Sequence, residues 1–261
     1  MANSVTQILK SLYFGGYGGA LAICTERIAQ GKKTSLFTPN SEMIYRASKS
    51  KDLLKILNSA DILFPDGIGS YIGMKISRNP VRERTSGIDL AEFLLKEASR
   101  RGHKVFLLGA KDGIASKATK NLKLKYKGLN ICGYHHGYFD KSGSKNDEII
   151  KKINSSGADI LFVCFGFPNQ EKWIANNLSS LNTVKLAIGL GGSLDVWSGN
   201  IKRAPVFVSK LGLEWLWRIL KDPKRLKRVG FLVGFALLVL KESLFKMQDF
   251  GKCYEIDNFS K

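Results

Sequence analysis

The sequence has no C-x-x-C pair: its four cysteines, Cys24, Cys132, Cys164 and Cys253, are scattered. Cys132 and Cys164 fall in apolar runs that read as strands, so buried thiols in a reducing compartment are expected rather than zinc ligands or disulfides. Long hydrophobic runs are also missing. The longest uncharged apolar stretch, Val229 to Leu240, has 12 residues, whereas a membrane-spanning helix needs roughly 20. The N-terminal segment Ile8 to Ile23 is broken by glycines and has no cleavage pattern, so neither a signal peptide nor a crossing helix is expected. Histidine is scarce, and His135-His136 lack a third ligand at a recognisable spacing, which argues against a metal site.

Basic charge is abundant. Forty-one Lys and Arg stand against 22 Asp and Glu, a formal net charge of +19. That surplus calls for a negative partner such as nucleic acid, anionic lipid or a polyphosphate substrate. No nucleic-acid-binding motif accompanies the charge. The surplus concentrates in residues 202–246, with 11 basic and 3 acidic side chains.

From residue 34 onward, short apolar runs alternate with amphipathic stretches. Strands are expected at Thr34–Phe37, Asp61–Phe64, Lys104–Leu108, Leu129–Tyr134, Asp159–Phe165 and Val184–Ile188. Helices are expected at about Ser41–Ser59, Gly87–Arg101, Gly113–Tyr126, Lys145–Ser155 and Gln170–Leu178. This alternation indicates an α/β fold, a Rossmann-like and mostly parallel sheet with helices on both faces. Continuous apolar runs such as Ile160-Leu161-Phe162-Val163-Cys164-Phe165 fit strands covered on both sides. Residues 1–33, loosened by Gly15, Gly16, Gly18 and Gly19, read as an irregular or partly helical lead-in. Two regions result: an α/β core over residues 1–200 and a basic helical appendage over 201–261. In the appendage one helix is expected to end near Lys221 and another to run from Pro223 to about Phe245, with Asp222-Pro223 as its start signal.

Ligands of open parallel sheets bind beyond the carboxyl ends of the strands, which makes the loops there the candidates. Asp66, between Pro65 and Gly67, is placed either to act as a general base or to close an Asx turn. Thr38 and Asn40 suit a sugar or ribose; Asn40 equally suits a helix cap. Gly109-x-x-x-Gly113 would let backbone amides approach a phosphate, or is simply a tight strand-to-helix turn, and it matches neither the Walker nor the G-x-G-x-x-G pattern. Arg84 is either a partner for a diphosphate or part of a solvated basic loop. Also absent is any D-x-D triplet, the usual means of holding a divalent ion on a nucleotide-sugar diphosphate. In a nucleotide-sugar enzyme built this way, cations and backbone dipoles must meet the leaving-group charge.

The tail carries Arg218, Lys221, Arg225 and Arg228 at steps of 3, 4 and 3, followed by the apolar run Val229–Leu240. A basic, tryptophan-bearing segment before a short apolar helix suits the headgroup boundary of an anionic bilayer, where each cation contributes on the order of 1 kcal/mol. A helix buried against the sheet with solvated charges is the alternative.

Eight strings in fixed order carry a resemblance. They include Thr38-Pro39-Asn40, Pro65-Asp66-Gly67-Ile68-Gly69, Arg84-Thr85-Ser86-Gly87, Phe106-Leu107-Leu108-Gly109, His135-His136-Gly137-Tyr138-Phe139, Gly166-Phe167-Pro168-Asn169-Gln170-Glu171 and Gly189-Leu190-Gly191-Gly192-Ser193. Lys202-Arg203-Ala204-Pro205, then Leu211-Gly212-Leu213-Glu214-Trp215-Leu216, continue the match into the tail. From about residue 34 to 240 the sequence resembles the WecG/TagA/CpsF glycosyltransferases. The resemblance implies an inverting transferase needing no metal or other cofactor, with a UDP-hexose donor, N-acetylmannosamine-like or related. It implies a polyprenyl-diphosphate-linked saccharide as acceptor, at the inner face of a bacterial cell membrane, in cell-surface polysaccharide synthesis.

By the same resemblance Asp66 would be the base on the acceptor hydroxyl, Arg84 would face the diphosphate and Gln170 would orient the sugar, with Thr38 and Asn40 in the pocket. Arg218, Arg225 and Arg228 would act at the lipid diphosphate. Nucleic acid is not an expected partner, and a homo-oligomer is compatible with the resemblance. The rival reading from another class is a non-catalytic nucleotide-binding adaptor that tethers an assembly complex to the membrane. The N-terminal 33 residues depart from the usual family lead-in, and Val229–Leu240 is more apolar than the family pattern.

Overall fold

The computed structural model describes residues 5–245; the side chains of several tail residues, Arg218 and Arg225 among them, lie outside the described set, as does Cys253. The elements run α1 (Val5–Lys10), α2 (Gly16–Ala29), β1 (Thr34–Phe37), α3 (Ser41–Ser48), α4 (Lys51–Asn58), β2 (Ile62–Leu63), α5 (Gly67–Ile76), α6 (Gly87–Arg101) and β3 (Lys104–Gly109). They continue with α7 (Ile114–Lys125), β4 (Asn130–His135), α8 (Gly143–Ser156), β5 (Ile160–Cys164), α9 (Asn169–Asn177), β6 (Leu186–Gly189) and α10 (Ser193–Trp197). The tail adds α11 (Val206–Lys210), α12 (Glu214–Lys221), a 3-10 turn Pro223–Arg228 and α13 (Val229–Phe245).

The six strands form one sheet in the order β2-β1-β6-β5-β3-β4, and every pairing is parallel. Alternation along the strands sends residues to two cores. Val105, Leu107, Ile160, Phe162 and Ile188 pack on one side with α2, α6 and α7. Phe106, Leu108, Leu161, Val163 and Ala187 pack on the other with α1, α3, α9 and α13. Both faces are therefore covered, as continuous apolar strands require. This is the expected α/β, Rossmann-like arrangement.

One expectation needs amendment, and two regions gain definition. The helix expected over residues 41–59 is two helices, because Lys49 ends α3 and the Ser50 hydroxyl accepts from Leu53 N–H to start α4. Residues 67–76, for which no element was expected, form α5. A Cβ on Gly73 would lie 2.8 Å from Phe235 and 3.0 Å from Leu9, so its glycine serves close packing of α1 and α13 rather than a turn.

The lead-in, expected to be irregular or partly helical, is helical over much of its described length. It contains a 14-residue helix, α2, whose Ala20, Cys24 and Ile28 recur every four residues on a buried face. Gly16 has φ of +71°, and a Cβ there would sit 2.2 Å from a Glu83 carboxylate oxygen.

The tail folds back on the core. Phe235 and Val239 of α13 are buried with α1 and α3 residues, and Glu242 accepts from the Val5 and Thr6 amides, capping α1. The opposite side of α13 exposes Val233, Leu237 and Leu240. Among the described residues, no helix is long and apolar enough to cross a membrane.

Candidate active site

The carboxyl ends of β1 and β2 open into a cleft that is open to solvent. Its floor comes from Asn40 and Ser41, from Asp66 to Gly69 and from Arg84; its roof is the tail, with Gly212, Glu214, Trp215, Ile219, Arg228 and Leu232. One wall is apolar (Ile68, Trp215, Ile219, Leu232) and the rest is charged or polar.

Asp66 is the residue just before α5, in extended conformation at φ −117°, ψ 121°. Its Oδ1 accepts the Gly87 N–H at 2.9 Å, and its own N–H donates to Pro39 O at 3.1 Å. Gly67 N–H donates to Thr85 O at 2.8 Å, and the Thr85 hydroxyl donates to Pro65 O at 2.5 Å. The β2 loop and the segment before α6 thus lock each other, and Asp66 is partly exposed in the cavity.

Arg84 reaches the same cavity, and its Nη2 donates to the carbonyl of Ser209, in α11, at 2.6 Å. Arg228 also lines the cavity, 3.5 Å from a Glu42 oxygen, and Glu42 in turn pairs with Arg46 at 3.4 Å. Both guanidiniums therefore already have acceptors on the protein. An entering diphosphate would displace or share these, as planar five-donor forks allow.

Asn40 has two roles in one place. Its Oδ1 caps α3 by accepting Met43 N–H at 3.1 Å, and the residue lines the cavity. Thr38 is buried one layer below: its hydroxyl donates to Gly189 O at 2.8 Å, and its methyl and Cβ lie where a Cβ on Gly87 would be, 2.8 and 2.9 Å away. It packs under the residue whose amide binds Asp66.

Gln170 sits at the start of α9 and is buried. Its Oε1 accepts from Gly191 N–H at 2.8 Å and Gly166 N–H at 3.2 Å, and its Nε2 donates to Glu171 Oε1 at 2.8 Å. In this arrangement it ties the loop after β5 to the loop after β6 instead of lining the cavity with Asp66. Glu171 is fully buried, its second oxygen has no hydrogen-bond partner, and burial pushes its carboxyl up to about 7.

Gly109 ends β3 at φ +144°, where a Cβ would fall 2.4 Å from Cys164 O. Strand packing alone accounts for its glycine. Arg218 and Arg225 occupy α12 and the 3-10 turn beside the cavity roof, but their side chains lie outside the described residues. His135 Nδ1 lies 2.9 Å from His136 O, and His136 Nδ1 accepts Tyr138 N–H at 3.1 Å. Burial depresses the His135 pKa.

Asn40, Asp66, Arg84 and Arg228 thus share one cavity, while Thr38, Gln170 and Gly109 lie in the packed loops beside or below it. Sequence reasoning missed Glu42, Glu214 and Trp215 as cavity residues. The alternation of Glu214 and Trp215 with Leu213 and Leu216 at the start of an amphipathic helix was the available signal.

The sequence model of the glycosyl transferase WecG/TagA/CpsF family matches residues 15–249. The chain belongs to this family. It is 35% identical over 215 residues to the N-acetylglucosaminyldiphosphoundecaprenol N-acetyl-beta-D-mannosaminyltransferase of Bacillus subtilis (strain 168), covering 82% of each chain. It is 36% identical over 217 residues to the protein of the same name from Bacillus spizizenii, covering 83% of this chain and 82% of the relative. A Staphylococcus aureus (strain MRSA252) protein of that name is 34% identical over 206 residues, 79% of each. This WecG/TagA/CpsF member is a glycosyltransferase, and the family match begins at residue 15, just ahead of α2, so α2 falls within the matched region.

Proposed function

We propose that this chain transfers N-acetylmannosamine from its UDP derivative to N-acetylglucosaminyl-diphospho-polyprenol, with inversion at the anomeric carbon and without a metal ion. The names of the relatives supply the transferred sugar and the acceptor. One observation carries the assignment of roles: a carboxylate, Asp66, and two guanidiniums, Arg84 and Arg228, line the same cavity under a roof with an apolar wall. A base beside the acceptor hydroxyl and cations beside a diphosphate are what such a displacement needs.

In this reading Asp66 takes the proton from the acceptor hydroxyl as that oxygen attacks the anomeric carbon. The bond to the UDP oxygen breaks, and the departing negative charge is met by arginine and backbone amides. Asn40 contacts sugar, while Thr38 and Gln170 act by holding the loops around it. Arg218, Arg225 and Arg228 bind the lipid diphosphate. The missing D-x-D triplet supports a route through arginine.

The tail supports a peripheral location on the inner face of the cell membrane. Phe207 and Leu211 are each 67% exposed and Leu220 is 70% exposed, among exposed Lys202, Lys210, Lys221 and Lys227. Apolar side chains amid cations match the boundary of an anionic bilayer. The test is transfer from UDP-N-acetylmannosamine to a short-chain lipid-linked N-acetylglucosamine, with and without chelator. Product formation unaffected by chelator supports the reading; no product from this pair, with another UDP-hexose used instead, overturns the donor.

A further inference from the structure

Residues 83–87 lead from the connection after α5 into the first residue of α6 and are gripped at every position. Glu83 Oε1 accepts the Tyr17 N–H at 2.8 Å, and Arg84 holds Ser209 O. Thr85 is tied to Pro65 and Gly67, and Gly87 N–H binds Asp66. The remaining link is Ser86, whose N–H donates to the Tyr17 hydroxyl at 2.8 Å. Ser86 is buried, so this amide needs its acceptor.

The Tyr17 hydroxyl in turn points at Asp89 Oδ2, 3.4 Å away, and Asp89 Oδ1 receives Arg203 Nη2 at 2.5 Å. Arg203 lies 3.9 Å from Glu214, a cavity residue of the tail. The Tyr17 ring is held between Phe64 and Phe93, with centroids at 5.8 and 5.3 Å. One side chain of α2 therefore joins the amide next to Gly87 to the tail that roofs the cavity.

We propose that Tyr17 is a positioning residue for sugar transfer: it fixes the 83–87 segment, and through it the Asp66 carboxylate and the Arg84 guanidinium, in register with the docked tail. This rests on the proposed roles of Asp66 and Arg84. Tyr17 touches no reacting atom; its effect is on the alignment of groups that do, and small misplacements of such groups cost rate. The Tyr17, Asp89 and Arg203 chain also gives tail docking a route to the base.

The test is Tyr17→Phe in the full chain, which keeps the ring packing and removes only the hydroxyl. The expected result is a fall in kcat on the order of tenfold, with the donor KM within about twofold of the parent and a melting temperature within a few degrees. In an Asp66→Asn background, the same change should cause a clearly smaller loss in single-turnover rate than in the parent, because the segment then has only Arg84 left to align. A folded Tyr17→Phe protein with parental kcat, or one whose loss adds in full to that of Asp66→Asn, overturns the proposal. Glu83→Ala, at an exposed side chain, releases the same segment without touching the core, and should lower kcat in the same direction; unchanged kcat there counts against the proposal as well. Parental turnover in Asp66→Asn alone would instead remove the base assignment, so the two failures are separable.

Discussion

Gly87 N–H donates to Asp66 Oδ1 over 2.9 Å, joining the end of β2 to the first residue of α6. That single bond spans 21 positions in the chain and sets the direction of the carboxylate relative to the cavity. A side-chain amide can accept the same N–H through its oxygen. The Asp66→Asn protein should therefore fold and bind donor within a few-fold of the parent, yet lose turnover by about 10²- to 10⁴-fold, the usual worth of a positioned base. Steady-state kinetics on the lipid acceptor decides it; donor affinity lost with turnover intact would take the base role from Asp66.

Gln170 makes a different prediction. Its Oε1 collects two backbone N–H groups from separate loops, Gly166 and Gly191. Gln170→Leu leaves both donors without that acceptor in a buried place, at about 1–3 kcal/mol for each group left unsatisfied. Chemical denaturation should show a loss of several kcal/mol, and the donor KM should rise as the loops after β5 and β6 loosen. A stable Gln170→Leu protein with a selective defect in kcat would place Gln170 against the reacting sugar instead.

Glu171 adds a pH dependence. Its folded carboxyl titrates near 7, raised by burial from the ordinary 4.5. Between those values the folded state binds more protons than the unfolded one. Stability is thus highest below the unfolded pKa, falls as pH rises from about 4.5 to about 7, and then levels off. The full change is on the order of 3 kcal/mol. Glu171→Gln should flatten that slope in urea titrations at pH 5 and pH 8. An equal slope in parent and variant would assign the pH dependence to other groups.

Much of the core was legible because burial on both faces writes itself as uninterrupted apolar strands. Ile160–Cys164 and Lys104–Gly109 lie within a residue or two of their expected limits. Helix α6 has the expected bounds, since Ser86 precedes it and Gly102, at φ +74°, ends it.

What local pattern hid was made by distant partners. Gly16 and Gly73 look like helix breakers until Glu83 and Phe235 are seen in the space a side chain would fill. The same holds at the site. Asp66 and Arg84, singled out by their place after a strand and before a helix, both line the cavity. The buried clamp of Gln170, by contrast, depends on amides 4 and 21 residues away, which no spacing rule marks. Tyr17 was invisible for the same reason: its partners are Ser86 and Asp89.

The tail offers the last prediction, and its packing dictates how to test it. Deleting residues beyond 201 would strip Phe235 and Val239 from the core as well as Glu242 from the α1 cap, so lost activity would say nothing about lipid. Leu211 and Leu220 are 67% and 70% exposed, and a charge there should change stability by no more than about 0.5 kcal/mol. Leu211→Asp with Leu220→Asp should leave the melting curve in place, while cutting sedimentation with vesicles of anionic lipid and lowering activity on a long-chain acceptor more than on a short, soluble one. Parental binding should weaken as salt rises, because the exposed lysines around these leucines lose their attraction over a Debye length of about 8 Å at physiological ionic strength. Equal vesicle binding by parent and double variant would assign any membrane attachment to some other part of the surface.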